Sequence, residues 1–338
     1  MLVLYLTVIV LVLSALKYNQ KFNTDYISIE TTNTIKGVFI LLIFISHILP
    51  YLQKGTNPQT ADSFFISHNY IGQWVVAMFL FYSGFGVMEA IKKKGYTYVS
   101  SIPRHRILNT IINFDLAVLV FIITAFAFNK PLSIKQCILS LTAWDSVGNS
   151  NWYIFVILVC YIATFVSFYK SNNHTKSAIY CLIIMLCTLI TLSYYKQPWW
   201  YNTMLCYNAG MFFSIYKTGL VKRIKNSYWL FITISIAALL VFGNIDYEKK
   251  GLIYNLFSIA FCIIIVLVSM RFNIRNRILE WCGLNLFSLY IYQRVPMIVF
   301  SSIDNGAFIY NFPNAYIFTC LLATIIIGYF YKYWKISF

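Results

Sequence analysis

TIKGVFILLIFISHILPY, residues 34–51, is an oily run with a lysine near its start and a histidine eleven residues further on. On a helix, eleven residues make three turns plus about 20° of rotation, so Lys36 and His47 share one face about 16 Å apart along the axis. A stretch this apolar and this long reads as a membrane-crossing helix. His47 then sits near mid-depth, where an ionisable group is costly and is a functional candidate by default.

The rest of the chain follows the same pattern. Of its 338 residues 60% are hydrophobic and 11% charged, with a mean hydropathy of +0.70. Soluble domains carry about a quarter charged residues. The fold class is therefore all-α, a polytopic transmembrane helical bundle. The apolar runs predict eleven spans, at 2–17, 37–53, 70–90, 107–128, 150–169, 178–195, 201–216, 228–243, 252–270, 283–302 and 315–333. The first has no basic residue ahead of its oily run, and Lys17 and Lys21 follow it, which favours a retained span over a cleaved signal. With short loops and no internal repeat, residues 1–338 read as a single membrane domain.

Cytoplasmic loops of membrane proteins collect Lys and Arg. With the N-terminus outside and the C-terminus inside, 19 of the 26 Lys and Arg fall on the cytoplasmic side, 6 outside, and Arg294 within a span. The net charge of +16 thus follows from topology and attraction to membrane lipids rather than from nucleic-acid binding. The eight cysteines are scattered without a CxxC pair and read as small packing residues. No metal-ligand spacing is present, nor a GxSxG elbow, a P-loop or a GxGxxG fingerprint.

Two further ionisable residues fall at bilayer depth, Asp115 in the fourth span and Arg294 in the tenth. Burying them as a pair costs far less than burying each alone, so the plain reading of Arg294 is an ion pair with Asp115, which is compatible with a functional role. Glu89 reads as structural, pairing with Lys92 or Lys93 one turn on. Ser83 and Gly84 read as residues that let helices approach closely.

Five stretches, in order, carry a resemblance. "IKGVFILLIFISHILPY" (35–51) resembles the opening motif of the membrane acyltransferase-3 family, a basic residue followed by a histidine. "VAMFLFYSGFGVMEAIKKKGY" (76–96) is similar to its small-residue helix with a basic loop. "IPRHRILNTIINF" (102–114) looks like its Arg-containing start of the next span. "GNSNWYIFVILVCYI" (148–162) resembles its aromatic helix start, and "FSLYIYQRVPMIVF" (287–300) its late helix. The resemblance implies a ten-helix core over about 34–333, with 2–17 as an added span. It also implies an integral enzyme of the bacterial cytoplasmic membrane that moves an acyl group, usually acetyl from acetyl-CoA, onto a hydroxyl of a surface glycan or its lipid-linked precursor. O-antigen, capsule and exopolysaccharide are all open as the acceptor, and the oligomeric state is unread.

The family histidine maps onto His47 and its basic residue, usually Arg, onto Lys36. A second expected Arg is Asn109, and the late-helix His is Gln293, with Arg294 beside it. His47, Lys36 and Arg294 are then the candidate catalytic set, His47 as the base or as the carrier of an acyl-histidine intermediate and Arg294 for the oxyanion. Lys36, Arg104 and Arg106 would meet the phosphates of acetyl-CoA, the donor, with no metal required. Trp152, Tyr153 and Asp115 would face the acceptor. The outer tryptophans Trp74, Trp144, Trp199 and Trp200 read as an interfacial belt, and Lys92–Lys94 as positive-inside charge. The alternative class is a transporter or flippase using His47, Asp115 and Arg294 as a relay.

Overall fold

The computed structural model describes residues 2–55, 73–243, 251–303 and 307–338. His68, Lys249, Lys250 and residues 70–72 of the third expected span lie outside them. Helices α1 (Leu2–Ala15), α2 (Ile29–Gly55), α3 (Trp74–Lys94) and α4 (Tyr96–Ala127) are followed by a short α5 (Ile134–Leu141). Then come α6 (Trp152–Phe168), α7 (His174–Tyr195), α8 (Cys206–Asn226), α9 (Tyr228–Gly243) and α10 (Gly251–Arg271). The chain closes with α11 (Arg277–Leu284), α12 (Leu286–Tyr292), α13 (Arg294–Ser302), α14 (Ala307–Asn311) and α15 (Pro313–Phe330). The protein is all-helical apart from a strap in which β1 (Leu16–Tyr18) pairs antiparallel with β2 (Phe272–Ile274), Lys17 opposite Asn273.

Among the described residues six helices are long and apolar enough to cross a membrane, or seven if the bent pair α8–α9 is one span. The differences from eleven regular spans have local causes. The tenth expected span, 283–302, is broken into α11, α12 and α13. Pro296 supplies no N–H to the carbonyl of Tyr292 and crowds it, so the helix gives way at Gln293. Asn285 marks the other break, its side-chain amide bonding back to the Trp281 carbonyl at 2.9 Å. The seventh span begins at Cys206 rather than 201, because Asn255 captures the preceding turns. It accepts from Leu205 N at 2.8 Å and donates to Tyr201 O at 2.9 Å. Helix α8 then continues through the lysine-rich segment to Asn226 and meets α9 at a bend of 98°. Helices α1 and α6, at 14 and 17 residues, are apolar but shorter than those six.

Small residues set the packing. A Cβ on Gly37 would collide with the Leu279 carbonyl, and one on Gly283 with the Asn33 carbonyl, so α2 and α11 lie backbone to backbone. Gly84 and Gly210 do the same for α3 and α8, against Tyr207 and Phe81. Glu89 pairs with Lys92 at 2.7 Å and also accepts from Ser214 at 2.6 Å, which ties the end of α3 to α8. Six of the eight cysteines are buried.

Two attachments tie down segments near the chain ends. Beside the strap, Asn19 N donates to Arg271 O at 2.8 Å. Asn113 holds Ile336 through both its amide groups, at 2.7 and 3.0 Å, and Asn109 accepts from Phe338 N at 3.1 Å.

Candidate active site

Helix α2 carries Lys36 near one end and His47 near the other. On the face they share, Ile40 and Ile43 fill the space between them and are buried. The direct route along α2 is therefore apolar.

At the first end, the Lys36 ammonium lies 3.5 Å from Asn33 Oδ1 and 5.9 Å from the centre of the Tyr82 ring. Arg106 is close enough to repel it electrostatically. Arg106 and Arg104 sit on a π-helical turn within α4, Pro103–Leu108, opened where Pro103 withholds its N–H. Such wide turns are rare and frequent at functional sites. Arg104 is exposed, 5.9 Å from the Phe338 ring, and Arg106 lies 6.0 Å from the Tyr161 ring.

Tyr161 and Tyr153 are eight residues apart on α6, hence on one face. Ser83 of α3 lies within hydrogen-bonding reach of both hydroxyls. On the same face of α6, Thr164 and the Tyr207 hydroxyl are 2.8 Å apart. The Tyr153 ring meets Tyr290 of α12 edge-on at 5.4 Å, and Tyr290 meets the His47 imidazole at 6.1 Å. Side chains in contact thus run from Arg106 through Tyr161, Ser83 and Tyr153 to Tyr290 and His47, the last two links being ring-to-ring contacts.

His47 is half-buried rather than sealed. Tyr51, one turn on and on its face, lines a cavity of about 280 Å³ together with Pro50, Lys130, Gly148 and Arg294. Arg294 begins α13 one turn beyond Tyr290 and acts on that phenol electrostatically. The break at Gln293, whose side-chain amide donates to the Tyr290 carbonyl at 3.2 Å, precedes it directly.

The expected Asp115–Arg294 ion pair does not form. The ion pairs among the described residues are Lys92–Glu89 and Arg275–Asp25. Asp115 Oδ1 and Arg294 Nε are both buried without a hydrogen-bond partner among those residues. Trp152 is half-exposed at the start of α6, whereas Tyr153 is buried between Phe79 and Tyr290. Of the interfacial tryptophans, Trp144 and Trp200 close on the Lys196 ammonium at 4.0 and 4.3 Å. Among the described residues no group of His, Cys, Asp or Glu comes together that could hold a metal ion.

Tyr290, Tyr161 and Lys130 were not singled out by sequence reasoning. Tyr290 lay inside the quoted "FSLYIYQRVPMIVF", and the eight-residue interval between Tyr153 and Tyr161 was the available sign of a shared face.

A helical membrane protein with a histidine deep in its bundle, basic groups at one end of the histidine's helix and a cavity at the other has the outline of a transmembrane group-transfer enzyme. The chain matches the acyltransferase domain family over residues 30–333 and belongs to it, a family of membrane acyltransferases. Comparison with curated proteins and with solved structures returns no match.

Proposed function

We propose that the protein is an O-acyltransferase that takes an acyl group, acetyl in the first instance, from acyl-CoA at the cytoplasmic face of a bacterial cytoplasmic membrane. The acceptor is a hydroxyl of a surface polysaccharide or its lipid-linked precursor. The whole chain acts as one membrane domain with the N-terminus outside and the C-terminus inside. The uneven spread of Lys and Arg, 19 of 26 on one side, supports that orientation.

Lys36, Arg104 and Arg106 meet the donor's phosphates, for which guanidinium forks are suited. His47 accepts the proton of the acceptor hydroxyl as its oxygen attacks the thioester carbonyl. Arg294 supplies positive charge to the resulting oxyanion. The C–S bond then breaks, and the CoA thiolate takes the proton back from the imidazolium, which leaves an ester and free thiol. Trp152 and Asp115 stand toward the acceptor, and buried Tyr153 holds Tyr290 against His47.

The observation that carries this reading is His47 itself, half-buried and in ring contact with Tyr290, while Tyr51 one turn on lines the cavity that Arg294 enters. Purified protein given acetyl-CoA and a lipid-linked sugar should release free CoA in step with acylated sugar. Sugar movement without CoA release would replace transfer by transport.

A further inference from the structure

The cavity lined by Tyr51, one turn on from His47, carries a second cation, Lys130, that the transfer chemistry alone does not require. It opens at the end of α4 opposite the Arg104–Arg106 turn, and two cations line it, Arg294 and Lys130. No described carboxylate lines it, and neither cation has an ion-pair partner among the described residues. Arg294 Nε is buried there without a hydrogen-bond partner among those residues. The remaining wall is apolar, from Phe121, Ile298 and the ring of Tyr51. Low-dielectric walls around two like charges focus a positive potential into the space between them.

The size of the space is limited. About 280 Å³ lies just under the range of drug-sized ligand sites, which suits one sugar unit. Gly148 keeps it open. Its φ of +109° is one that side chains rarely adopt, and a Cβ there would stand 3.0 Å from Ile298 Cδ1.

We infer that this cavity is the acceptor subsite and that it selects an acidic sugar, one whose carboxylate or phosphate is held by Arg294 and Lys130 while a hydroxyl of the same unit reaches His47. The inference rests on the acyl-transfer reading, and it adds the class of acceptor. Arg294 supplies a planar fork for an oxyanion and Lys130 a mobile point charge. Tyr51, one turn from His47 on the same face, offers its ring to the sugar.

Binding without donor separates this inference from the catalytic one. Purified protein is titrated with glucuronate, glucose 1-phosphate, glucose and dodecyl phosphate, each alone, at low and at high salt. Glucuronate or glucose 1-phosphate should bind at least about tenfold tighter than glucose, with a preference that falls as salt rises. Lys130→Glu should abolish the preference and Lys130→Gln weaken it, both with thermal stability as in the parent because Lys130 lies on an exposed turn. His47→Ala should keep it. Equal affinity for all three sugars, binding of dodecyl phosphate alone, or a preference untouched by Lys130→Glu would each overturn the inference. Loss of acyl transfer in His47→Ala with no acid-sugar preference in the parent would leave the transfer reading standing and remove this one.

Discussion

The imidazole of His47 on α2 and the phenol ring of Tyr290 on α12 have centroids 6.1 Å apart, with Tyr290 lying just ahead of the helix break at Gln293. Tyr290 is held from behind by Tyr153 at 5.4 Å, so the imidazole's position depends on three helices at once. A displacement of about 1 Å at a reacting group can cost on the order of 100-fold in rate. Tyr290→Ala should therefore lower kcat at least about tenfold with donor KM little changed. Tyr290→Phe, which keeps the ring and removes a hydroxyl with no hydrogen-bond partner among the described residues, should stay within about threefold. Steady-state kinetics on both variants distinguishes ring packing from hydroxyl chemistry.

Lys36 stands where the resembling motif usually has arginine, among Asn33, Tyr82 and Arg106. If its charge serves the donor, Lys36→Met should raise the KM for acetyl-CoA by at least about tenfold, and Lys36→Arg should restore it. An unchanged donor KM in Lys36→Met would remove Lys36 from the donor site.

The glycine crossings make a stability prediction. Gly84→Ala sets a methyl group against the Tyr207 carbonyl, and Gly37→Ala sets one against that of Leu279. Backbone cannot give way as a flexible side chain does, so each should cost about 1–3 kcal/mol or more. Gly86→Ala, which meets nothing within 4 Å, is the control on α3 and should be neutral or mildly stabilising. Thermal unfolding in detergent reads all three.

The helical character of the chain was legible because an apolar run of membrane length needs no tertiary information to be recognised. The broken tenth span was harder, since Leu, Ile and Tyr continue through it and only Pro296 and Asn285 mark the faults. His47 and Lys36 stood out as ionisable groups in an oily run. Tyr290 and Tyr161 did not, because a lone tyrosine in an apolar helix looks like core until its neighbours from other helices are known. Lys130 read as ordinary loop charge, and only the cavity that joins it to Arg294 sets it apart. The expected Asp115–Arg294 pair failed for the same reason, because sequence gives depth in the membrane but not the direction in which a side chain points.

Outside the spans, Tyr26 gives a test by pH. Burial, and then the charge of Glu89, push its phenol up to about 12. The folded state therefore holds this proton more tightly than the unfolded chain, whose phenol titrates near 10. Its contribution to stability is complete below about pH 10 and is lost as pH rises toward 12. Tyr26→Phe, which also removes a buried hydroxyl without a hydrogen-bond partner among the described residues, should match or slightly exceed the parent at pH 8. It should then lose less stability between pH 10 and 12. Identical pH profiles for the two proteins would contradict this.

The central claim concerns one side chain, and acyl transfer by the His47→Ala variant measures it. With abundance and thermal stability matched to the parent, the variant supplied with acetyl-CoA and glycan acceptor should form no acylated glycan and release no CoA above background. Parent-level acylation by that variant would contradict the account.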